Sequence, residues 1–268
     1  MNWLQALILG VVQGLTEFLP VSSSGHLAIF KELLGVEAGG DLVFEVTVHA
    51  ATVCATIVVF WKPIVKLFAG LFKFKYNDET DYICKILVGT IPVMIVGLFF
   101  KDKVEELFSP LWVVGGALLL TAVLLYFSDA VSKSKAMREN DARNGISFVQ
   151  ALLVGIGQAF AVLPGLSRSG ATISTGLISG VRREVVAQFS FLMVIIPILG
   201  DMFLEIVGGG LAASTVGVMP LAIGFVAAFA TGLFACKAMI ALVKKAQLKW
   251  FALYCLLVGL TVILTQIF

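Results

Sequence analysis

Six apolar stretches, each about 20 residues long, constrain the fold of this chain more than any other feature. A helix rises about 1.5 Å per residue, so each stretch can cross a hydrocarbon core about 30 Å thick. Hydrophobic residues make up 59% of the 268 residues and charged residues 13%, which excludes a soluble globular protein. The sequence therefore predicts an all-α polytopic membrane protein with six transmembrane helices: Asp41–Trp61, Tyr82–Phe100, Ser109–Phe127, Val186–Val207, Val218–Met239 and Trp250–Phe268.

Two further apolar segments, Asn2–Leu19 and Ser147–Leu163, do not fit this pattern, because each runs into a proline and then a cluster of small polar residues. A short helix that is broken in this way and followed by another is typical of a re-entrant hairpin. Such a hairpin is tolerated at membrane depth where protein or a water-filled cavity satisfies its backbone groups. We therefore expect two re-entrant helical hairpins, at residues 2–35 and 147–181, and a site between them.

The two hairpins resemble each other. Shifting the sequence by 145 residues aligns Leu4–Gly25 with Val149–Gly170, and 8 of the 22 positions are identical, including paired Gln and a shared Ser-x-Ser-Gly. This indicates an internal duplication within one membrane domain, residues 1–268. The predicted first repeat is 1–128 and the second is 147–268, and each contains one hairpin and three spans.

The placement of Lys and Arg predicts the orientation. If each hairpin returns to the side from which it enters, fifteen of the 19 cationic residues lie on one side; the other side has three, Lys31, Lys101 and Lys103, and Arg168 lies in the second hairpin. The lysine- and arginine-rich side is expected to be cytoplasmic. The first hairpin then enters from outside and the second from the cytoplasm, so the repeats have inverted topology.

The tips of the hairpins combine helix N-termini with small polar residues. First-turn N–H groups and the positive end of the helix dipole favour bound anions, and Arg168 adds a charged planar fork suited to phosphate oxygens. In the alternative interpretation, the serines only cap helices and Arg168 pairs with an acidic residue. The candidate phosphate ligands at the tips are Ser22, Ser24, Gly25, Ser167, Ser169 and Gly170.

Glu17 and His26 lie on the two arms of the first hairpin, and Gln13 shares a helix face with Glu17. A carboxylate beside phosphates is useful if a divalent cation lies between them or if the carboxylate transfers a proton. His26 is expected to be neutral and able to attack phosphorus or accept a proton. A structural core pair of Glu17 and His26 is the alternative.

Three polar features are expected to lie outside this site. Glu45 and His49, four residues apart on the first span, are interpreted as a structural hydrogen-bonded pair and left out of the predicted catalytic set, with a catalytic role as the alternative. Asp201 and Glu205 are expected at the outer interface, and residues 129–144 in a solvated cytoplasmic loop.

Two motifs carry a resemblance to a known family. Residues 13–26 read QGLTEFLPVSSSGH and residues 164–172 read PGLSRSGAT, which match the patterns (E/Q)xxxE and PGxSRSxxT. The chain resembles the bacitracin-resistance type undecaprenyl-diphosphate phosphatases over essentially its whole length. The resemblance implies removal of one phosphate from undecaprenyl diphosphate at the outer face of the bacterial cytoplasmic membrane, which recycles the cell-wall lipid carrier, with Mg²⁺ or Ca²⁺ required.

Carried over residue by residue, the resemblance makes Glu17 the essential acid and a possible metal ligand, with Gln13 nearby. It implies that Arg168 binds phosphate, adds Thr172 at the end of the second motif as a further phosphate ligand, and leaves Ser23 and His26 as candidate nucleophiles. Because a phosphohistidine hydrolyses more readily than a phosphoserine, we expect His26 to attack and Ser23 to bind phosphate, with direct attack by water as a third possibility.

The expected partners are a polyprenyl diphosphate and membrane lipids, not nucleic acid, and a homodimer is left open. Inverted repeats with broken helices are also found in transporters. A polyprenyl-phosphate transporter or flippase is therefore the alternative function, because fold alone does not determine activity.

Overall fold

The computed structural model describes residues 1–36, 42–100, 103, 110–134, 142–207, 216–245 and 248–267, apart from the side chains of 133, 134, 205, 206, 244 and 245. The regular structure in these ranges is helical. A single 3₁₀ turn, Arg143–Gly145, precedes α7. The helices are α1 (Trp3–Thr16), α2 (Ser23–Leu33), α3 (Leu42–Val59), α4 (Trp61–Leu71), α5 (Asp78–Phe99), α6 (Leu111–Ser134), α7 (Phe148–Phe160), α8 (Arg168–Ile178), α9 (Arg183–Met193), α10 (Ile195–Val207), α11 (Val218–Lys245) and α12 (Lys249–Ile267).

Six segments of the described chain are long and apolar enough to cross a membrane. They confirm the six predicted spans, with ends that differ by a few residues. The predicted ends Asp41, Ser109 and Phe268 lie outside the described residues. The six segments are Leu42–Val59, Asp78–Phe99, Leu111–Ser132, Arg183–Leu204, Val218–Val243 and Lys249–Ile267.

The fourth span is interrupted, because α9 and α10 meet at Val194. Pro197 has no N–H to donate to the carbonyl of Met193, and its ring crowds that carbonyl, so the helix cannot continue undisturbed through this turn. The interruption lies at the cavity described below, which Pro197 and Ile198 help to line.

Helices α1 and α2, and likewise α7 and α8, form two helical hairpins with matching internal contacts. The Gln5 side chain donates to the carbonyl of Leu34 at 3.0 Å, and Gln150 donates to that of Ser179, also at 3.0 Å. The start of each first helix is therefore tied to the end of the second. Helices α1 and α7 have 14 and 13 residues, too few to cross a bilayer alone.

The first helix of each hairpin packs on a span from the other half of the chain, α1 on α11 and α7 on α5. Glycines permit both close contacts. A Cβ on Gly10 would lie 2.5 Å from the carbonyl oxygen of Gly224, and one on Gly155 would lie 2.1 Å from that of Gly89. Small residues at helix crossings are what membrane interiors use to bring backbones together.

The start of the segment 129–144 is packed rather than solvated, so that prediction is wrong at Asp129, whereas Arg143 and Asn144 near its end are exposed. The Asp129 carboxylate is buried and accepts from Arg183 at 2.7 Å. Asn144 donates to the buried carboxylate of Asp81 at 2.9 Å, beside Lys85. Charges at these ends are thus satisfied by partners on the spans; residues 135–141 lie outside the described chain.

Candidate active site

The breaks in the two hairpins contact each other. The Ser169 hydroxyl donates to the carbonyl of Leu19 at 3.0 Å, and Arg168 Nη2 lies 3.1 Å from Glu17 Oε1. Each break contains a proline, Pro20 or Pro164, and a small polar segment that cannot extend the preceding helix. The sequence therefore ends α1 and α7 at the same place in the molecule and starts α2 and α8 there.

Serines cap both new helices. The Ser22 hydroxyl accepts from the Gly25 N–H at 3.2 Å, and the Ser167 hydroxyl accepts from the Gly170 N–H at 3.1 Å. Ser22 has φ 68°, in the left-handed region that favours glycine, and this strain is located at the site. The first-turn N–H groups of a helix have no intrahelical acceptor, so two anion-binding helix ends meet here.

The Glu17 carboxylate is the most densely contacted group at this meeting point. Oε2 accepts from Ser23 Oγ at 2.5 Å and from Gln13 Nε2 at 2.9 Å. Oε1 faces Arg168, and His49 Nε2 lies 3.8 Å from Oε2. Because the Glu17 side chain is only 8% exposed, these partners replace the water that a carboxylate would otherwise need.

A cavity of about 300 Å³ opens beside this carboxylate. One wall is polar and is formed by Glu17, Ser23 and Arg168 with the capping serines of both hairpins. Apolar side chains from α3, α5 and α10 line another part of the cavity. The residues of this apolar wall are Leu42, Val46, Val93, Met94, Leu98, Ile198, Met202 and Leu204. The cavity can therefore hold a headgroup that is both anionic and joined to an apolar chain.

The predicted phosphate ligands fall into two groups. Four hydroxyls line the cavity, those of Ser22, Ser24, Ser167 and Ser169. The other three, Gly25, Gly170 and Thr172, are not among its lining residues. Thr172 lines only an inner cavity of about 20 Å³ behind Glu17, and its hydroxyl lies 2.6 Å from that of Ser190.

His26 does not line the cavity. Its ring is 3% exposed, with Nδ1 2.7 Å from the carbonyl oxygen of Ser22 and Nε2 2.7 Å from the Tyr254 hydroxyl, and it stacks on the Tyr254 ring. Both ring nitrogens are thus occupied by protein groups. The geometry favours Ser23 over His26 as the group that attacks substrate, because only Ser23 contacts Glu17.

Glu45 and His49 were expected to lie outside the site, and this prediction is wrong, although the two residues are hydrogen-bonded to each other. His49 Nδ1 lies 2.8 Å from the backbone carbonyl of Glu45, while its Nε2 faces Glu17. The Glu45 carboxylate instead contacts Lys31. Both residues line the cavity, as does Asp201; the Glu205 side chain lies outside the described residues.

A polar stripe along α3 could have revealed this. Glu45, His49, Thr52 and Thr56 follow one another at intervals of three or four residues and so share a helix face within an otherwise apolar span. Thr52 and Thr56 line the inner cavity. A stripe of this kind marks the face of a span that points at the site rather than at lipid.

Oxygen atoms near Glu17 suit a hard cation, although no cluster of three or more His, Cys, Asp or Glu side chains in the described chain forms a metal site. Gln13 Oε1 is buried and without a hydrogen-bond partner in the described structure. Together with the Glu17 carboxylate and nearby hydroxyls, it provides the oxygen ligands that Mg²⁺ and Ca²⁺ prefer. Substrate phosphate oxygens would complete such a site.

The sequence matches known proteins over nearly its full length. The family model described as bacitracin resistance protein BacA matches residues 6–261. The undecaprenyl-diphosphatase of Bacteroides thetaiotaomicron is 53% identical over 271 residues, covering 100% of both chains. Those of Parabacteroides distasonis and Christiangramia forsetii are 52% and 46% identical, each over 98% of both chains. The chain belongs to the bacitracin resistance protein BacA family.

Proposed function

We propose that this protein hydrolyses undecaprenyl diphosphate to undecaprenyl phosphate and inorganic phosphate. The observation that carries the proposal is the contact of Glu17 with both Ser23 and Arg168 where two helix N-termini meet in one cavity. A hydroxyl nucleophile, its base and a permanent positive charge are then within reach of one phosphoryl group. The names of the relatives, undecaprenyl-diphosphatase, give the substrate.

In the proposed reaction, Ser23 attacks the terminal phosphorus while Glu17 takes its proton. The bond from that phosphorus to the bridging oxygen breaks, and undecaprenyl phosphate leaves. The proton on Glu17 passes to the departing undecaprenyl phosphate, which leaves Glu17 ionised again. Water then attacks the phosphoserine while Glu17 takes a proton from it, and Glu17 gives that proton to the Ser23 oxygen as phosphate is released. The 2.5 Å distance from Ser23 Oγ to Glu17 Oε2 already places the donor and acceptor of the first proton transfer in contact.

Positive charge at the site would stabilise the transferring phosphoryl group. Arg168 uses Nη2 on Glu17 and has further N–H groups in its fork for phosphate oxygens. The first-turn N–H groups of α2 and α8 add fixed dipoles. A divalent cation, when bound by Glu17 with Gln13 Oε1 and hydroxyl groups, would supply neutralising charge.

The apolar wall of the cavity accounts for a lipid substrate. It is built from the first turns of α3, the last turns of α5 and residues along α10. A polyprenyl chain attached to a diphosphate in the cavity can leave along these residues toward the lipid. A water-soluble diphosphate has no apolar chain that could contact such a wall.

The same helix ends support an outward-facing site in the cytoplasmic membrane. The hydropathy and lysine–arginine pattern places the start of α3 and the ends of α5 and α10 on the side with three cationic residues. We propose that both hairpins are re-entrant from opposite sides and that the halves, 1–128 and 147–268, form an inverted repeat. The matching Gln5 and Gln150 contacts support the duplication.

Phosphate release by the purified protein in detergent tests the function. Wild-type protein with polyprenyl diphosphate should release phosphate, a chelator should suppress the release, and Glu17→Gln should abolish it. A flippase would release no phosphate, because it moves the lipid without hydrolysing the diphosphate, and in detergent there is no bilayer across which to move it. Absence of phosphate release from folded wild-type protein with cation present refutes the proposal.

Rapid quench with labelled substrate tests the nucleophile. An acid-stable phosphoenzyme should form and should be absent from Ser23→Ala, while Ser132→Ala, at the far end of α6, serves as the matched control. An acid-labile, base-stable adduct that is lost only in His26→Ala would restore His26 as the nucleophile.

A further inference from the structure

Gln158, on α7, is buried at the site with its amide unused. Its side chain is 1% exposed, and neither Oε1 nor Nε2 has a hydrogen-bond partner in the described structure. Buried polar groups are nearly always paired, because leaving them unpaired costs free energy. A fully unpaired buried amide beside an active-site cavity therefore points to a ligand that pairs with it.

The related glutamine in the first hairpin shows why this amide is available. Gln13 precedes Gln158 by 145 residues, and its Nε2 donates to Glu17, four residues further on. The residue four positions after Gln158 is Val162, which offers no acceptor. Gln158 therefore has no side-chain partner at the position where Gln13 has Glu17.

Gln158 lines two neighbouring cavities of the site. It borders the 300 Å³ cavity together with Glu17, Ser23 and Arg168, and it borders the 20 Å³ inner cavity together with Glu17, Arg168 and Ser169. It thus approaches the reacting groups from the second hairpin, opposite the Glu17 helix. An amide N–H at this place can donate to an anionic oxygen without adding a charge that would compete with Arg168 for Glu17.

We infer that Gln158 is a substrate-binding residue whose Nε2 donates to a non-bridging phosphate oxygen of the lipid diphosphate. This inference rests on the proposed phosphatase function. The amide oxygen, on the other side of the group, accepts from a protonated phosphate oxygen or from a water in the inner cavity, which has room for about one water. Binding of substrate would satisfy both amide atoms that the free protein leaves unpaired.

Two substitutions separate binding from folding. Gln158→Leu removes the amide at similar volume, and Gln158→Glu replaces it with an isosteric carboxylate that repels phosphate. The matched control is Gln188→Leu, at an exposed position of α9 away from the cavity. Each protein is assayed in detergent for phosphate release, for inhibition by inorganic phosphate and for thermal unfolding.

The expected result for Gln158→Leu is a 10- to 100-fold lower kcat/KM and a Ki for inorganic phosphate at least about 10-fold higher, because one hydrogen bond to a charged group is lost. Its Tm should equal the wild-type value or exceed it by about 1–3 °C, since an unpaired amide is removed from the interior. Gln158→Glu should raise KM further, and Gln188→Leu should match wild type.

Two outcomes would overturn the inference. If Gln158→Leu melts several degrees lower or cannot be purified, the amide holds the fold rather than the substrate. If both Gln158 variants keep kcat/KM within about twofold of wild type, the amide does not bind phosphate. Failure of the wild-type protein to release phosphate would instead refute the proposed function itself.

Discussion

Arg168→Lys should be severely impaired although it preserves the charge. Arg168 places Nη2 3.1 Å from Glu17 Oε1, and its side chain is 29% exposed, with the rest of its fork at the cavity. A lysine ammonium can approach the carboxylate or the phosphate as a point charge but cannot reproduce the planar fork that serves both. At least one hydrogen bond between charged groups is then lost, which costs about 1.5–3 kcal/mol. At about 1.4 kcal/mol per factor of ten, kcat/KM should fall about 10- to 150-fold.

The measurement is the initial rate of phosphate release from polyprenyl diphosphate, with saturating divalent cation and protein of verified Tm. Arg182→Lys makes the same chemical change at an exposed residue that does not line the cavity, and it should stay within about twofold of wild type. If Arg168→Lys retains kcat/KM within about threefold of wild type, the fork does not bind the phosphoryl group and Arg168 serves only as a partner for Glu17.

Three further predictions concern the neighbouring groups and the membrane orientation. Gln13→Glu exchanges a donor to Glu17 for a second carboxylate, so half-maximal activity should require a different divalent-cation concentration. An unchanged cation titration would show that Gln13 does not take part in binding the cation. His26→Phe should lower Tm by several degrees without blocking phosphoenzyme formation, whereas normal stability with no phosphoenzyme would contradict a structural role. In a variant without the four native cysteines, a cysteine at Lys103 should label from outside and cysteines at Tyr76 and Asn140 only from the cytoplasm; labelling of positions 103 and 140 from the same side would refute the inverted repeat.

The hairpins and spans could be predicted because membrane insertion leaves few alternatives. Long apolar stretches must cross as helices, and Pro20 and Pro164 with their following serines cannot extend one. The break at Val194 was missed because proline within an apolar span does not always interrupt it: α5 continues through Pro92. Whether neighbouring residues accommodate the missing hydrogen bond depends on tertiary packing.

The sequence predicted the site residues that lie in the hairpins. It missed those contributed by elements that are distant in the sequence. Glu17, Ser23 and Arg168 belong to recognisable motifs, and the structure brings them together. The burial of His26 depends on Tyr254, which is 228 residues away, and no local pattern predicts that contact. His49 was misassigned because the polar stripe of α3 was interpreted as one pair rather than as a continuous face.

The crossed packing of α1 on α11 and of α7 on α5 has a consequence for biogenesis. The first helix of each hairpin makes its most extensive contact with a span of the other half, so the packing of each half is completed only by the other. The polypeptide must retain an unfinished hairpin while the ribosome completes the helix that will receive it. Because Glu17 and Arg168 come from different halves, phosphatase activity can arise only after the two halves have packed against each other. A partly inserted chain would therefore be catalytically silent.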